Sequence, residues 1–297
     1  MAEADKKDGD FVLHVTENPD EAIYFYKEVD AALQPRSRDM LLKYTAIPED
    51  RLVSHIKEAQ RRAFKVAPYS SVGSMTWLNP MILLHFAYEK VLERVKNGAS
   101  ILDCGCMIAQ DLRQLAFDGA PTDHMYGFDL EPEFFDIGYD FFRDRQTFRG
   151  SFMKVDAGQD FSETSLTDLV GKIDVIWCAK FIHLYDYDDQ IAMASKLVRL
   201  LKPRPGSMFV GSQNGFPGGK QMKLSGAGSM GSKTNTTFLC DVHQLKEIWK
   251  EVSKRTGLDF DVEGTLLNLR TIGRHKDNGS EYHKVIGYNL QYLITIK

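Results

Sequence analysis

Residues 101–111, Ile-Leu-Asp-Cys-Gly-Cys-Met-Ile-Ala-Gln-Asp, constrain the fold of this chain more than any other stretch. A short apolar run ends in Asp103, Gly105 follows, and the small residue Ala109 opens a segment with helical spacing. Strand, tight turn and helix N-terminus, in that order, form the unit with which open α/β sheets hold adenosine-type cofactors. A second run, from His124 to Asp129, places another carboxylate twenty residues beyond Ala109. An acid at that distance is positioned to accept both hydroxyls of a ribose.

The details of the turn select among adenosyl cofactors. A dinucleotide site requires G-x-G-x-x-G, because the second glycine lets the backbone approach a pyrophosphate. Met107 occupies that place and would crowd a diphosphate, and no phosphate-loop pattern G-x-x-x-x-G-K-[ST] occurs. S-adenosylmethionine carries no phosphate and has an amino-acid end that suits an acid at the head of the turn. A third acid, Asp156, follows the run Phe152 to Val155. Taken singly, each of these aspartates also reads as a helix cap.

The order of these motifs resembles the class I methyltransferases. The resemblance implies an α/β, Rossmann-like seven-stranded sheet with S-adenosyl-L-methionine as cofactor. It places Asp103 and Gly105 beside the methionine moiety, Asp129 at the ribose and Asp156 with Ala157 around the adenine, with Cys106, Ala109 and Leu130 also in the cofactor site. The family's usual turn is G-x-G-x-G. Only Gly105 of the three glycines is kept here, with Met107 and Ala109 in the other two places.

Strands are expected near 100–104, 124–129, 151–155, 173–178 and 207–212, with helices near 109–118, 132–144, 163–170 and 187–201 between them. That alternation specifies a parallel sheet. A helix near 241–255 and strands near 259–267 and 284–296 complete the chain. Upstream, residues 1–97 are read as a helical N-terminal cap, with helices near 48–64 and 80–96 and a mobile tail over 1–10. Residues 98–297 are read as the catalytic core. Within that core, residues 213–237 are rich in glycine and poor in apolar residues, and are expected to form a lid on the cofactor side of the sheet.

At 297 residues, 43% hydrophobic and 26% charged, the chain can bury a full core. A net charge of -4 gives no electrostatic footprint for nucleic acid. No apolar stretch approaches the roughly 20 residues that span a bilayer. The start of the chain lacks the apolar segment of a signal peptide. The four cysteines lack C-x-x-C spacing and read as buried thiols rather than disulfides or a zinc site. A cytoplasmic enzyme acting on a small molecule, with no membrane or nucleic-acid partner and with homodimerisation left open, is the expectation.

Beyond the cofactor core, the chain resembles the fungal methyltransferases of meroterpenoid and polyketide biosynthesis. The likeness runs through Ala63-Phe-Lys-Val-Ala-Pro-Tyr69 with Gly73 and Trp77, Ala109-Gln-Asp-Leu-Arg113, Asp118-Gly-Ala-Pro121 and Tyr126-Gly-Phe-Asp-Leu-Glu-Pro-Glu-Phe134. It continues through His183-Leu-Tyr-Asp-Tyr-Asp-Asp-Gln190 and Leu245-Lys-Glu-Ile-Trp249, with Cys240-Asp241 departing from an expected His-Asn pair. The resemblance implies O-methylation of a natural-product carboxyl or hydroxyl. N- or S-methylation, or a non-catalytic adenosyl-binding protein on the same scaffold, are the alternatives.

Methyl transfer to oxygen requires alignment and exclusion of water, plus a base only where the acceptor is a weak acid. His183 follows the fourth strand of the core and is the candidate for orienting or deprotonating the acceptor. Lys180, on the same strand end, is assigned to the cofactor cleft. Tyr24, Tyr26, Tyr69 and Trp77 of the cap are candidates for an aromatic acceptor site. Arg270 and Arg274 are candidates for holding an acceptor carboxylate. Clustered Asp/Asn ligands at the end of the fourth strand are lacking, so no metal is expected.

Overall fold

The computed structural model describes residues 12–14, 18–20, 22, 25–30, 32–225, 236–269 and 287–297. In chain order the elements are β1 (Val12–His14), α1 (Pro35–Thr45), α2 (Glu49–Val66), α3 (Ser70–Gly73), α4 (Tyr88–Lys96), β2 (Ile101–Cys104), α5 (Gln110–Phe117) and β3 (Met125–Asp129). There follow α6 (Glu133–Phe142), β4 (Ser151–Lys154), β5 (Val175–Ala179), α7 (Tyr187–Leu197), β6 (Met208–Asn214), β7 (Lys220–Ser225) and β8 (Thr236–Leu239). α8 (Val242–Thr256), β9 (Phe260–Asn268) and β10 (Tyr288–Ile296) end the chain.

Seven strands form the main sheet in the order β4-β3-β2-β5-β6-β10-β9. The first five are parallel, and β10 runs antiparallel between β6 and β9. All four residues of β2 are buried, as a parallel strand covered on both faces demands. From β2 the chain winds outward through β3 and β4, then returns to place β5 on the other side of β2. This reversal opens a crevice beyond the carboxyl ends of β2 and β5.

The helices follow their apolar spacing. In α2, Leu52, Ile56, Ala59 and Ala63 are buried on one face. Together with Met40, Trp77 and the α6 residues Phe134, Ile137 and Phe141, they form one continuous apolar cluster. The start of α8 carries a capping box, with Asp241 accepting from the Gln244 amide and the Gln244 side chain accepting from the Asp241 amide.

Three expectations change. The stretch 80–96 is not one helix: a 3-10 turn at Ile82–Leu84 precedes α4. Its amides are drawn to side chains, Ile82 N–H by the distant Asp111 carboxylate (2.8 Å), Phe86 N–H by the distant Gln291 Oε1 (3.1 Å) and Ala87 N–H by the local His85 Nδ1 (3.0 Å). Residues 163–170 fall into 3-10 turns capped by the Asp160 and Thr164 side chains, which compete with helical bonding.

The third concerns the glycine-rich segment, whose described residues are not loop throughout. β7 and β8 pair antiparallel, and β1 adds in parallel to β7, giving a separate three-stranded sheet. The N-terminal segment therefore supplies a strand as well as helices. Residues 1–10 and 226–235 lie outside the described residues. Among the described residues no helix is long and apolar enough to cross a membrane.

Candidate active site

The turn after β2 is held in the left-handed backbone region at three of five consecutive positions: Gly105 (φ +67°), Met107 (φ +50°) and Ala109 (φ +53°). Glycine is required at 105, because a Cβ there would stand 2.7 Å from the Phe181 ring. Gly127 in β3 is required for a different reason, since a Cβ would meet Cys106 Sγ at 2.8 Å. Cys106 is thus tucked against the neighbouring strand, its N–H donating to Phe128 O at 2.9 Å. Ala109 caps α5 and directs the helix N-terminus at the crevice.

Met107 explains the missing glycine. Its side chain is buried and belongs to the apolar cluster formed by the cap helices and α6, while its N–H donates to Asp129 Oδ2 at 2.8 Å. The residue that departs from the glycine pattern joins the turn to the cap. The next residue, Ile108, presents its carbonyl to Arg113 Nη1 at 2.7 Å. Arg113 is fully buried, forms a two-point ion pair with Asp144 (2.7 and 3.1 Å), and is surrounded by the rings of Tyr139, Phe142, Phe148 and Phe152. The sequence flagged Arg113 as part of a resemblance without a role. Its burial shows that it anchors the turn from behind.

Three carboxylates, Asp103, Asp111 and Asp129, stand around this turn, and a fourth, Asp156, follows β4. Asp103, at the end of β2, is buried and its Oδ2 has no hydrogen-bond partner among the described residues. Burial pushes its pKa well above the usual carboxylate range, reinforced by the charges of Asp111, Cys178 and Asp129. Burial likewise raises Asp111, to about 6. Asp129 is raised by burial against the opposing effect of its backbone donors at Met107 and Glu131. Asp156 is exposed and accepts from Gly158 N–H at 2.8 Å, while the adjacent Ala157 is buried and accepts from Lys196 Nζ. Leu130, next to Asp129, leaves 36% of its surface exposed.

On the other side of the crevice, Lys180 and His183 follow β5. Lys180 takes a left-handed backbone conformation (φ +52°) and its Nζ donates to Asn214 Oδ1 at the end of β6. Burial lowers its pKa to about 7. His183 lies in the 3-10 turn Ile182–Leu184, with Nδ1 buried and without a partner among the described residues. Burial, with the Lys180 charge adding to it, lowers its pKa to about 3, so the ring is neutral at working pH. The second sheet sits over this turn, with Thr237 Oγ1 donating to His183 O and Phe238 N–H to Tyr185 O (3.0 Å).

The chain therefore brings Asp103, Gly105, Cys106, Ala109, Asp129, Leu130, Lys180 and His183 to the carboxyl ends of the central strands, with Asp156 and Ala157 following β4. Tyr69 of the cap joins them. Burial and the charges of Asp129 and Glu131 raise its pKa, and its ring stacks on Phe134. Trp77 is removed from the acceptor set. It is 4% exposed, packs edge-on against Phe141 at 5.1 Å, and donates its indole N–H to Val72 O, so it fills the cap interior. Tyr24, Arg270 and Arg274 lie outside the described residues. Asn214 and Phe181 were not singled out by the sequence. Both follow from strand-end position alone, which is the signal that would have found them.

Residues 24–78 match the family model of the meroterpenoid methyltransferase N-terminal domain, and residues 101–204 match that of a methyltransferase domain. The chain is 34% identical over 252 residues to O-methyltransferase phiE of a fungal species, covering 84% of this chain and 82% of that protein. It is 35% identical over 230 residues to methyltransferase adrK of Penicillium rubens, covering 76% and 79%. Over 268 residues it is 31% identical to the asnovolin E/chermesin D methyltransferase nvfJ of Aspergillus novofumigatus, covering 90% and 91%.

Proposed function

The chain belongs to the meroterpenoid methyltransferases, S-adenosylmethionine-dependent enzymes, and we propose that it methylates an oxygen of a small natural-product intermediate in secondary metabolism. The relative named O-methyltransferase supports oxygen as the accepting atom, and the match to the meroterpenoid methyltransferase N-terminal domain supports a terpenoid-derived molecule as the substrate class.

The observation that carries the residue assignment is the partnerless buried Oδ2 of Asp103. A buried carboxylate oxygen without a donor is costly unless a ligand completes it. The ammonium of an amino-acid moiety is such a donor, and its charge offsets the burial that raises Asp103. Asp129 has accepted two backbone N–H groups. A carboxylate has about four acceptor sites, so capacity remains for a ribose hydroxyl. Leu130 and the Asp156–Ala157 turn flank the place of the adenine.

The chemistry that S-adenosylmethionine supplies when bound is an electrophilic methyl group. The chain's own task is to align an acceptor oxygen and exclude water. His183 orients rather than deprotonates, because an imidazole that titrates near 3 is a weak base at neutral pH. A carboxylate acceptor is the reading this favours, since it arrives ionised and needs no base.

Calorimetric binding of S-adenosylhomocysteine to the wild type and to Asp103→Asn tests the site. Tight binding by the former and loss of at least tenfold in a folded variant is the expected result, and equal affinities would overturn the assignment. Incubation with labelled S-adenosylmethionine and a cell extract should yield a product whose label is released by mild base. A base-stable product would point instead to an ether, amine or thioether.

A further inference from the structure

Lys180 and His183, both after β5, leave an ammonium only partly paired and a ring nitrogen unpaired among the described residues. The backbone of Lys180 adopts a conformation that L-residues avoid unless their surroundings impose it. Here the Lys180 N–H donates to Ser212 O at 2.7 Å and the side chain reaches Asn214 at the end of the next strand. An ammonium has three donors, and among the described residues Asn214 is the partner of Lys180 Nζ, with no carboxylate paired to it. Three residues on, the His183 turn is pinned through its carbonyl by Thr237, and Nδ1 is left buried without a partner. A cation with one of its three donors used and a ring nitrogen without a partner among the described residues stand three residues apart after β5.

We propose that Lys180 is the acceptor-anchoring residue: it holds the acceptor oxygen as an anion, with His183 as the second contact and Asn214 aiming the ammonium. This rests on the methyl-transfer reading of the crevice and names the group that meets the substrate. The sulfonium of the cofactor is a cation, so an ammonium directed at it would be repelled, whereas an oxyanion lying between the two is attracted by both. Burial already moves the amine to about 7, so the pairing of Lys180 responds to an anion near neutral pH. A carboxylate arrives ionised. A phenol gives its proton to the neutral amine, which becomes the ammonium that holds the phenolate. Methylation leaves a neutral ester or ether, which no longer pairs with Lys180, and product release follows from that loss of charge. His183 is the titratable group whose charge interaction with Lys180 is evident, and at a pKa near 3 it stays neutral throughout this range.

The test reads Lys180 directly. Lysines of the full chain are reductively dimethylated with 13C-formaldehyde and a borane–amine reductant, and the Lys180 signal is identified by its absence in Lys180→Met, or in Lys180→Arg should the Met variant not fold. The signal is titrated with pH alone, with sodium benzoate, with 4-nitrophenolate and with methyl benzoate. Either anion is expected to raise the Lys180 midpoint by about one to three units, with no effect from the neutral ester and a smaller shift in Asn214→Leu. A response to benzoate alone identifies a carboxylate acceptor, and one to 4-nitrophenolate alone a hydroxyl. An unchanged midpoint with both anions, in a protein that still binds S-adenosylhomocysteine, overturns the anchoring role and leaves the methyl-transfer reading standing. Loss of S-adenosylhomocysteine affinity in Lys180→Met without an anion response also overturns it, by placing Lys180 at the cofactor. Failure of the wild type to bind S-adenosylhomocysteine would instead count against the methyl-transfer reading itself.

Discussion

The amide of Met107 donates to the carboxylate of Asp129 at 2.8 Å, so the turn after β2 and the end of β3 are joined by one hydrogen bond. Because the Met107 side chain is also buried in the cap cluster, three parts of the molecule meet at this residue. The acid proposed for the ribose is thereby fixed by the same contact that shapes the turn.

Asp129→Asn should weaken S-adenosylhomocysteine binding while preserving the fold. The amide side chain keeps a single acceptor oxygen, so the Met107 bond and a ribose hydroxyl compete for it. Losing one hydrogen bond to a charged group costs about 1.5–3 kcal/mol, roughly ten- to a hundredfold in affinity. Calorimetry on the folded variant checks this, and unchanged affinity would remove Asp129 from the site.

The buried pair of Arg113 and Asp144 should matter more to stability than any surface pair. Asp144→Asn leaves the guanidinium uncompensated among four aromatic rings, a situation that costs about 3–5 kcal/mol. Urea unfolding should show the loss. Arg62→Ala, which removes a half-exposed pair with Asp140, should change stability by less than about 1 kcal/mol.

Much of the main sheet was legible because buried parallel strands are continuous apolar runs ending in recognisable residues, as in Ile101–Cys104 and Met125–Asp129. The placement of the acids at strand ends was legible for the same reason, since those positions are set by the apolar runs. What the sequence hid depends on distant partners. Nothing near residue 82 announces that Asp111 will take its amide, nor near residue 86 that Gln291 will. The β7–β8 pair is glycine-flanked and joined by β1 from the far N-terminus, so local composition reads as loop. Met107 looked like a defect in a glycine motif until the cap that covers it was in view.

Asp111 should make the ligand-free protein less stable as pH rises. Its carboxyl is raised from an ordinary value near 4 to about 6 by burial, so the folded state binds the proton more tightly than the unfolded chain. The stabilisation from this group is complete below about pH 4 and is lost as pH rises through about 6. Asp111→Asn keeps an acceptor for Ile82 N–H and cannot ionise. Its stability relative to the wild type should therefore improve by a few kcal/mol between pH 4.5 and 7.5, read as the difference in urea midpoints. A constant difference across that range would mean that Asp111 does not titrate there.

His183 separates positioning from proton removal. With the ring neutral above about pH 3, the wild-type rate should show no rise between pH 5 and 8 that disappears in His183 variants. His183→Gln retains a donor and an acceptor of similar reach and should keep most of the activity. His183→Ala should lose more, because the acceptor oxygen is then less well aligned. If His183 were the base for a phenol or alcohol, both variants would fall by about 10²–10⁴-fold, the usual contribution of general acid–base catalysis. Rates of label transfer for the three proteins across pH 5–8 decide the matter. A Gln variant as inactive as the Ala variant, with a base-stable product, would assign proton removal to His183 and exclude the carboxylate acceptor.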